Sequence, residues 1–439
     1  MHETQRRAML RALFFFACVC PTVAVGLWAY GLRTDAYRES WERELSEALG
    51  MRTACEAVAL PQPGLVSFNR LRCYDPETDA LVLECGRLEG EAVADGLLLA
   101  AVDCEIHAAH GAKLFTAVER RLKRELPGIG PRISFKAARL AWHAGGPPQT
   151  LDDFEALLEP TDSAQQLLVN FRAVGAASDE PASMRIARST ASAAPETIVE
   201  LDSGAGPLPC SIFAPLVPFA ADFGDAAQWS GRIKLKHAAA GWEGMLSGTI
   251  DDVDLQRFLA AHGSPPLWGA ADLSVHWAEF AAGRVVRMRG SVEAGPGQIG
   301  RELAAAGVVQ LGLGDPQAGL ADEPALRFDR LEFDFSIDAG GLALRPRNAT
   351  RHDALLWHGD QVYWHAPRVT AQPLANLLRT LSPNRELLVP LGPSVAGLID
   401  VLPLPAASPA KPVLEANQNA LPQPRLRLRG AAPDESQIR

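Results

Sequence analysis

Between Ala59 and Cys85 the chain reads ALPQPGLVSFNRLRCYDPETDALVLEC, two runs of alternating apolar residues around a turn. Val66 and Phe68 share one phase, and Leu71 and Cys73 the other, so a bulge is predicted near Asn69–Arg70. Asp75–Asp79, DPETD, has the composition of a turn. Leu81, Val82, Leu83 and Cys85 form the next strand. Gly96–Ile106, GLLLAAVDCEI, forms another, with Leu98, Ala100, Val102, Cys104 and Ile106 on one side. Such runs predict an antiparallel meander with one apolar face. The 33 Pro and 37 Gly recur between short apolar runs, which extends the expectation of many short strands along all 439 residues.

The N-terminus carries a different signal. Ala12–Leu32, ALFFFACVCPTVAVGLWAYGL, has no charged residue and is long enough, as a helix, to cross a hydrocarbon core of about 30 Å. Arg6, Arg7 and Arg11 precede it, whereas Arg33 and Arg38 are accompanied by Asp35, Glu39 and Glu42. That asymmetry puts residues 1–11 in the cytoplasm, a transmembrane helix over 12–32, and the remaining roughly 400 residues outside. The rival reading is a cleaved signal peptide, with Ala29 and Gly31 as small residues of a cleavage site. A net charge of −10 disfavours binding of nucleic acid.

Beyond the span, Ala36–Leu49 is predicted helical, with Tyr37, Trp41, Leu45 and Leu49 on one stripe and Gly50 as its stop. Lys113–Leu126 is a second amphipathic helix, with Leu114, Val118 and Leu122 inward. Its Lys113, Arg120, Arg121, Lys123 and Arg124 interleave with Glu119 and Glu125, as on a solvated face. Strands are expected at Arg132–Leu140, Gln166–Ala173, Ser183–Ser189 and Thr197–Leu201, completing a β-rich region over 36–206. Within 207–313, two hairpins are each followed by a helix, first Asp251–Gly263 and then QIGRELAAAG, a weak repeat. Residues 314–405 add hairpins and a closing helix in QPLANLLRTLSP; Leu331, Phe333, Phe335 and Ile337 alternate along one strand there, and Asp338–Gly341, DAGG, is the turn that follows it. The tail 406–439 has the composition of a disordered segment.

Few residues suggest chemistry. His352, His358, Asp360 and His365 form the one cluster with metal-ligand character, but HGDQ is more simply a hairpin turn. Asp251 and Asp252 read as helix caps rather than an acid–base pair. Phosphate-loop, dinucleotide and nucleophile-elbow strings are missing. No catalytic residue, cofactor site or metal site is assigned. Cys55, Cys73, Cys85, Cys104 and Cys210 lie beyond the span, as buried small hydrophobes or with one cross-strand disulfide among them.

Two stretches carry a family resemblance. Leu49–Glu91 is similar to the start of AsmA-like envelope proteins of diderm bacteria, with Asp79 standing where a Gly is expected. Trp229–Gly300 is similar to that family's C-terminal domain, through Gly248–Leu255, GAADL and GSVEAGPGQI. The resemblance implies a single-span inner-membrane protein whose bulk is a periplasmic curled antiparallel sheet, the β-taco arrangement, with short covering helices. It implies partners of phospholipid or other acyl-chain lipid, the inner membrane and envelope proteins, and a role in lipid handling or outer-membrane biogenesis. The chain is shorter than members that bridge the periplasm, so a chaperone, regulator or segment of an assembly is expected. The alternative is a closed-core scaffold or adaptor for partner proteins.

Overall fold

The structure, a computed structural model, describes residues 9, 11–31, 34–94, 96–108, 122, 132–144, 147–160, 164–174, 180–189, 196–215, 217–238, 241–261, 263–282, 284–314, 323–348, 351, 353–369 and 371–381. The expected amphipathic helix Lys113–Leu126 (Leu122 apart) and the tail 406–439 lie outside these residues, as does the whole of a second unit, Leu404–Arg439.

Residues 11–31 are helical in three pieces, with a π-helical segment at Phe15–Val19 followed by α1 (Cys20–Gly31). The Cys20 N–H donates to the Phe15 carbonyl, five residues back, just before Pro21, which has no N–H to give. The uninterrupted transmembrane α-helix expected over 12–32 therefore does not form as such. Among the described residues no helix is long and apolar enough to cross a membrane. The helix α2 (Asp35–Leu49) matches expectation: the Thr34 hydroxyl accepts from the Tyr37 N–H at 3.4 Å, and Gly50 ends it at φ 66°.

The remainder is β-rich, dominated by one 19-stranded sheet in which sequence neighbours are mostly spatial neighbours. Its first half comprises β1 (Arg52–Ala54), β2 (Ala57–Gln62), β3 (Leu65–Tyr74), β4 (Leu81–Val93), β5 (Gly96–His107), β6 (Arg132–His143), β7 (Gln149–Pro160), β8 (Ala164–Ala173), β9 (Ala182–Ser189) and β10 (Thr197–Asp202). β1 and β2 both pair with β3, and from there each strand pairs with the next. All of these pairings are antiparallel except β5–β6, which is parallel. The pure meander is thus broken once, where the long connection 108–131 gives room for the crossover a parallel pair requires.

The sheet continues through β11 (Leu208–Pro209), β12 (Gln228–Ala238) and β13 (Gly241–Asp254). β10 pairs with β12, and β12 with β11 and β13. The helix α3 (Leu255–Ala261) follows, shorter than the predicted Asp251–Gly263. Residues 251–254 still belong to β13, and it is Asp254 whose carboxylate accepts the Arg257 N–H at 3.0 Å. Asp251 and Asp252, expected to be caps, instead sit at a β-bulge, with Asp252 at φ 58°.

Beyond β14 (Leu267–Trp268) come β15 (Ala270–Ala281) and β16 (Arg284–Ala294), then β17 (Gly297–Gly300), helix α4 (Arg301–Leu311) and β18 (Ala325–Phe328). β14, β17 and β18 form a separate three-stranded sheet. The main sheet proceeds from β13 to β15, β16 and β19 (Arg330–Asp338), then to β20 (Gly341–Pro346), β21 (Ala354–His358) and β22 (Gln361–His365). The helix α5 (Leu374–Leu381) closes the described fold. The expected turns form: the Asp338 carboxylate accepts the Gly340 N–H at 2.7 Å, and Gly359 turns β21 into β22 at φ 54°.

A line of kinks crosses the first half. Arg70, Asp103 and Asp153 take φ of 48°, 51° and 49°. Each lies between the same two cross-strand rows, Phe68–Leu88–Ala101–Ala137–Phe154 and Leu71–Cys85–Cys104–Leu140–Leu151. The bulge expected near Arg70 is the first of these. Its counterpart at Asp103 reverses the predicted facing of β5. Cys104 and Ile106 are buried as expected, but Leu98 and Val102 point outward, 42% and 47% exposed, while Ala101 is buried. An extra φ > 0 residue flips side-chain parity beyond it, and aligned bulges bend a sheet.

Candidate functional site

The two faces of the sheet differ, and its register makes one of them continuously apolar. On one face a row of directly opposed residues runs Leu97, Ile133, Leu158, Leu167, Ile186, Val199, Leu235, Gly244, Phe280. Every member is half-buried, neither sealed in a core nor fully open. Two residues along each strand a parallel row runs Leu99, Phe135, Ala156, Val169, Met184, Leu201, Ile233, Leu246, Ala278, Met288, Ile337, Leu342. No side chain in either row carries a hydrogen-bonding or charged group.

On the opposite face charged residues pair across strands, with the apolar Leu98, Leu157, Leu168 and Met245 among them. Lys136 meets Glu155 at 2.7 Å, Glu200 bridges Lys234 at 2.7 Å and Arg185 at 3.2 Å, and Arg287 meets Glu279 at 2.7 Å. These hydrogen bonds, from Lys234 foremost and then Arg185, hold the Glu200 carboxyl below its usual range. A polar ladder of this kind marks the face that meets water.

The apolar face changes character along the strands. The row Leu71–Cys85–Cys104–Leu140–Leu151 is fully buried, at 3% exposure or less. Trp41 of α2 covers that end, its ring 5.6 Å from Phe68. Two 3-10 turns, Cys210–Phe213 and Pro218–Phe223, belong to the same cover, with Phe213 against Trp229 at 5.5 Å and Phe223 on Phe258 at 5.4 Å. Burial pushes the Cys73 and Cys210 thiols up to about 12 and the Cys55 thiol up to about 11. One end is a closed core, and the rows through Leu99 and Leu97 emerge from it. The row singled out from sequence, Leu331, Phe333, Phe335 and Ile337, lies on this face in β19. Leu331 and Ile337 are buried, and Phe333 and Phe335 are half-buried.

The histidine cluster does not converge. His358 Nδ1 pairs with Asp329 at 2.8 Å, His365 Nδ1 with Asp353 at 3.0 Å, and Asp360 lies 3.7 Å from Arg351. His352 lies outside the described residues. Among the described residues no group of three His, Cys, Asp or Glu side chains is placed to hold a metal ion. Asp329, not noticed in the sequence, is the organising group. It accepts the Gly359 N–H at 2.7 Å, and that bond, with His358, holds its carboxyl below the usual range. Asp251 is pushed up, mainly by burial and then by Asp272 and Asp252.

Sequence reasoning left β7 unassigned and so missed Leu158 and Ala156. Its signal was there: Leu151, then Phe154, Ala156 and Leu158, alternate once a parity change is allowed at Asp153. Compared with protein-family models, curated proteins and solved structures, the chain gives no match.

Proposed function

We propose that the half-buried apolar face is a groove for the acyl chains of phospholipid or a similar lipid, within a non-enzymatic, membrane-anchored envelope protein of AsmA-like type. The supporting observation is the register-continuous row from Leu97 to Phe280, which crosses nine strands without a polar side chain. At about 4.8 Å between strands it extends roughly 38 Å along the sheet. One leaflet's acyl region is about half of a 30 Å hydrocarbon core, so the row exceeds the length of a single lipid tail. Each methylene removed from water there contributes about 0.8 kcal/mol. In this reading the aligned bulges at Arg70, Asp103 and Asp153 curl the sheet, and the closed row at Leu71–Leu151 is the floor of the trough.

The anchor in this reading is the helical run 11–31 taken as a whole, because none of its separate pieces is long enough to cross a membrane alone. Its Phe14, Phe16 and Leu27 are 63%, 71% and 69% exposed. At about 1.5 Å per residue the run reaches roughly 30 Å. Its π-helical segment is tolerable in lipid because the backbone groups there remain bonded within the helix. The charge asymmetry around the run supports an N-terminus in the cytoplasm and a sheet in the periplasm.

A closed-core adaptor is the second reading, favoured by the fully buried row and its aromatic cover. Native mass spectrometry of the full chain extracted in detergent, with lipid analysis of the same sample, separates the two. Co-purifying phospholipid supports the groove. A stoichiometric protein partner without lipid supports the adaptor and overturns the groove.

A further inference from the structure

We infer that Cys85 and Cys104 close to a cross-strand disulfide when the protein folds in the presence of a disulfide oxidant. The two are direct register partners in β4 and β5, and their Sγ atoms stand 3.2 Å apart. Opposed residues of an antiparallel pair have Cα atoms about 4.5–5.5 Å apart, inside the span of about 4.4–6.8 Å that a disulfide bridges. The backbone is therefore already placed for the bond. Both thiols are buried, at 0% and 2% exposure, so the linkage is shielded once made.

The register also selects the pair. Among the described residues no other two cysteines are strand partners. Cys73, in β3, opposes Leu83 and so stands diagonal to Cys85. It is two strands from Cys104, about 9.6 Å at ordinary strand spacing, beyond the roughly 7 Å that a disulfide can reach. Cys73 is thus left as a free thiol beside the bond.

The step balances as two successive exchanges. One cysteine thiolate attacks a sulfur of the oxidant's disulfide, forming a mixed disulfide and releasing one thiolate. The second cysteine's thiolate then attacks the cysteine sulfur of that mixed disulfide. This closes Cys85–Cys104 and releases the oxidant's other half. Two protons leave the cysteines, and two electrons reduce the oxidant to two thiols. In the finished fold the hydrogen bond to Cys85, and then burial, push the Cys104 thiol up. The exchange accordingly belongs to the stage at which the β4–β5 hairpin is formed but not yet covered. In the cell an oxidant of this class is met in the envelope, so occurrence there rests on the location proposed above, while the pairing does not.

The test is refolding of the full chain in detergent with oxidised glutathione, alkylation of remaining thiols in denaturant, and peptide mapping without reduction. One linked peptide pair containing Cys85 and Cys104 is expected, with the other five cysteines alkylated. Cys73→Ala is expected to leave that pair unchanged, and Cys85→Ala to leave both Cys73 and Cys104 alkylated. Alkylation of both Cys85 and Cys104 in the refolded protein, or a dominant Cys73–Cys85 link, overturns the inference. A bond that closes on refolding yet is absent from protein taken from cells overturns the envelope location instead.

Discussion

The ring of Phe335 in β19 lies over the bare Cα of Gly290, its register partner in β16. A Cβ added at Gly290 would stand 2.7 Å from Phe335 Cζ and against the Ser274 carbonyl oxygen. The carbonyl belongs to the backbone of the adjoining strand and cannot turn away. Gly290→Ala is therefore expected to destabilise the sheet by about 1–3 kcal/mol, as overpacking does. Urea unfolding measures it. Gly290→Ala combined with Phe335→Leu should recover only part of the loss, because the carbonyl contact remains.

The gradient from the closed core to the half-buried Leu97–Phe280 row makes a paired prediction. Leu140 is 0% exposed, and a charge there has no partner, so Leu140→Glu is expected to unfold the chain at a cost of several kcal/mol. Ile186, in the Leu97–Phe280 row, is half-buried. Ile186→Glu should leave the far-ultraviolet circular dichroism spectrum and cooperative unfolding intact while abolishing lipid co-purification. If both variants unfold alike, the rows near Ile186 are core rather than groove.

On the outer face, the Glu200 carboxyl is held below its usual range by Lys234 and Arg185. A depressed carboxylate contributes stability that is present above its unfolded value and is lost as pH falls through its folded value. Glu200→Gln is expected to cost about 1 kcal/mol or less at pH 7, since the pairs are partly solvated. The difference from wild type should shrink as pH falls below the ordinary carboxylate range, read from urea midpoints at pH 7 and at successively lower pH.

The buried thiols give the alkaline counterpart. Cys73 and Cys210 are each pushed up from 9.0 to about 12, mainly by burial. Each stays protonated in the fold where the unfolded chain would ionise. Their contribution is therefore intact below pH 9 and falls as pH rises from 9 towards 12, by about 1 kcal/mol per pH unit for each thiol. Cys73→Ala should reduce the slope of stability against pH in that window. A slope unchanged by the substitution would show that other groups set it.

Much of this fold was legible because alternation of apolar residues is a local signal. β3, β6, β8, β9 and β10 fall close to the predicted runs, as do α2 and the DAGG and HGDQ turns. What misled was parity. Alternation alone points Leu98, Ala100 and Val102 inward, because nothing local announces that Asp103 takes φ 51°. Asp153 hid β7 in the same way. Asp79 was the exception, noticed as standing in a glycine position, and it takes φ 56° beside its ion pair with Arg52. The parallel β5–β6 pair and the continuity of the apolar rows depend on register between distant strands, which composition does not carry. Asp329 escaped notice because its partners, His358 and Gly359, lie about thirty residues on.

The central claim is that lipid meets one face of this sheet and not the other, and adjacent residues of β12 test it most directly. Leu235 lies on the apolar row, and Lys234 on the ion-pair ladder beside it. A photoreactive amino acid placed at each position in turn, irradiated in membranes and analysed by mass spectrometry, reports which face touches lipid. Phospholipid adducts at 235 and none at 234 are predicted. Adducts at neither position, or equally at both, would contradict the account.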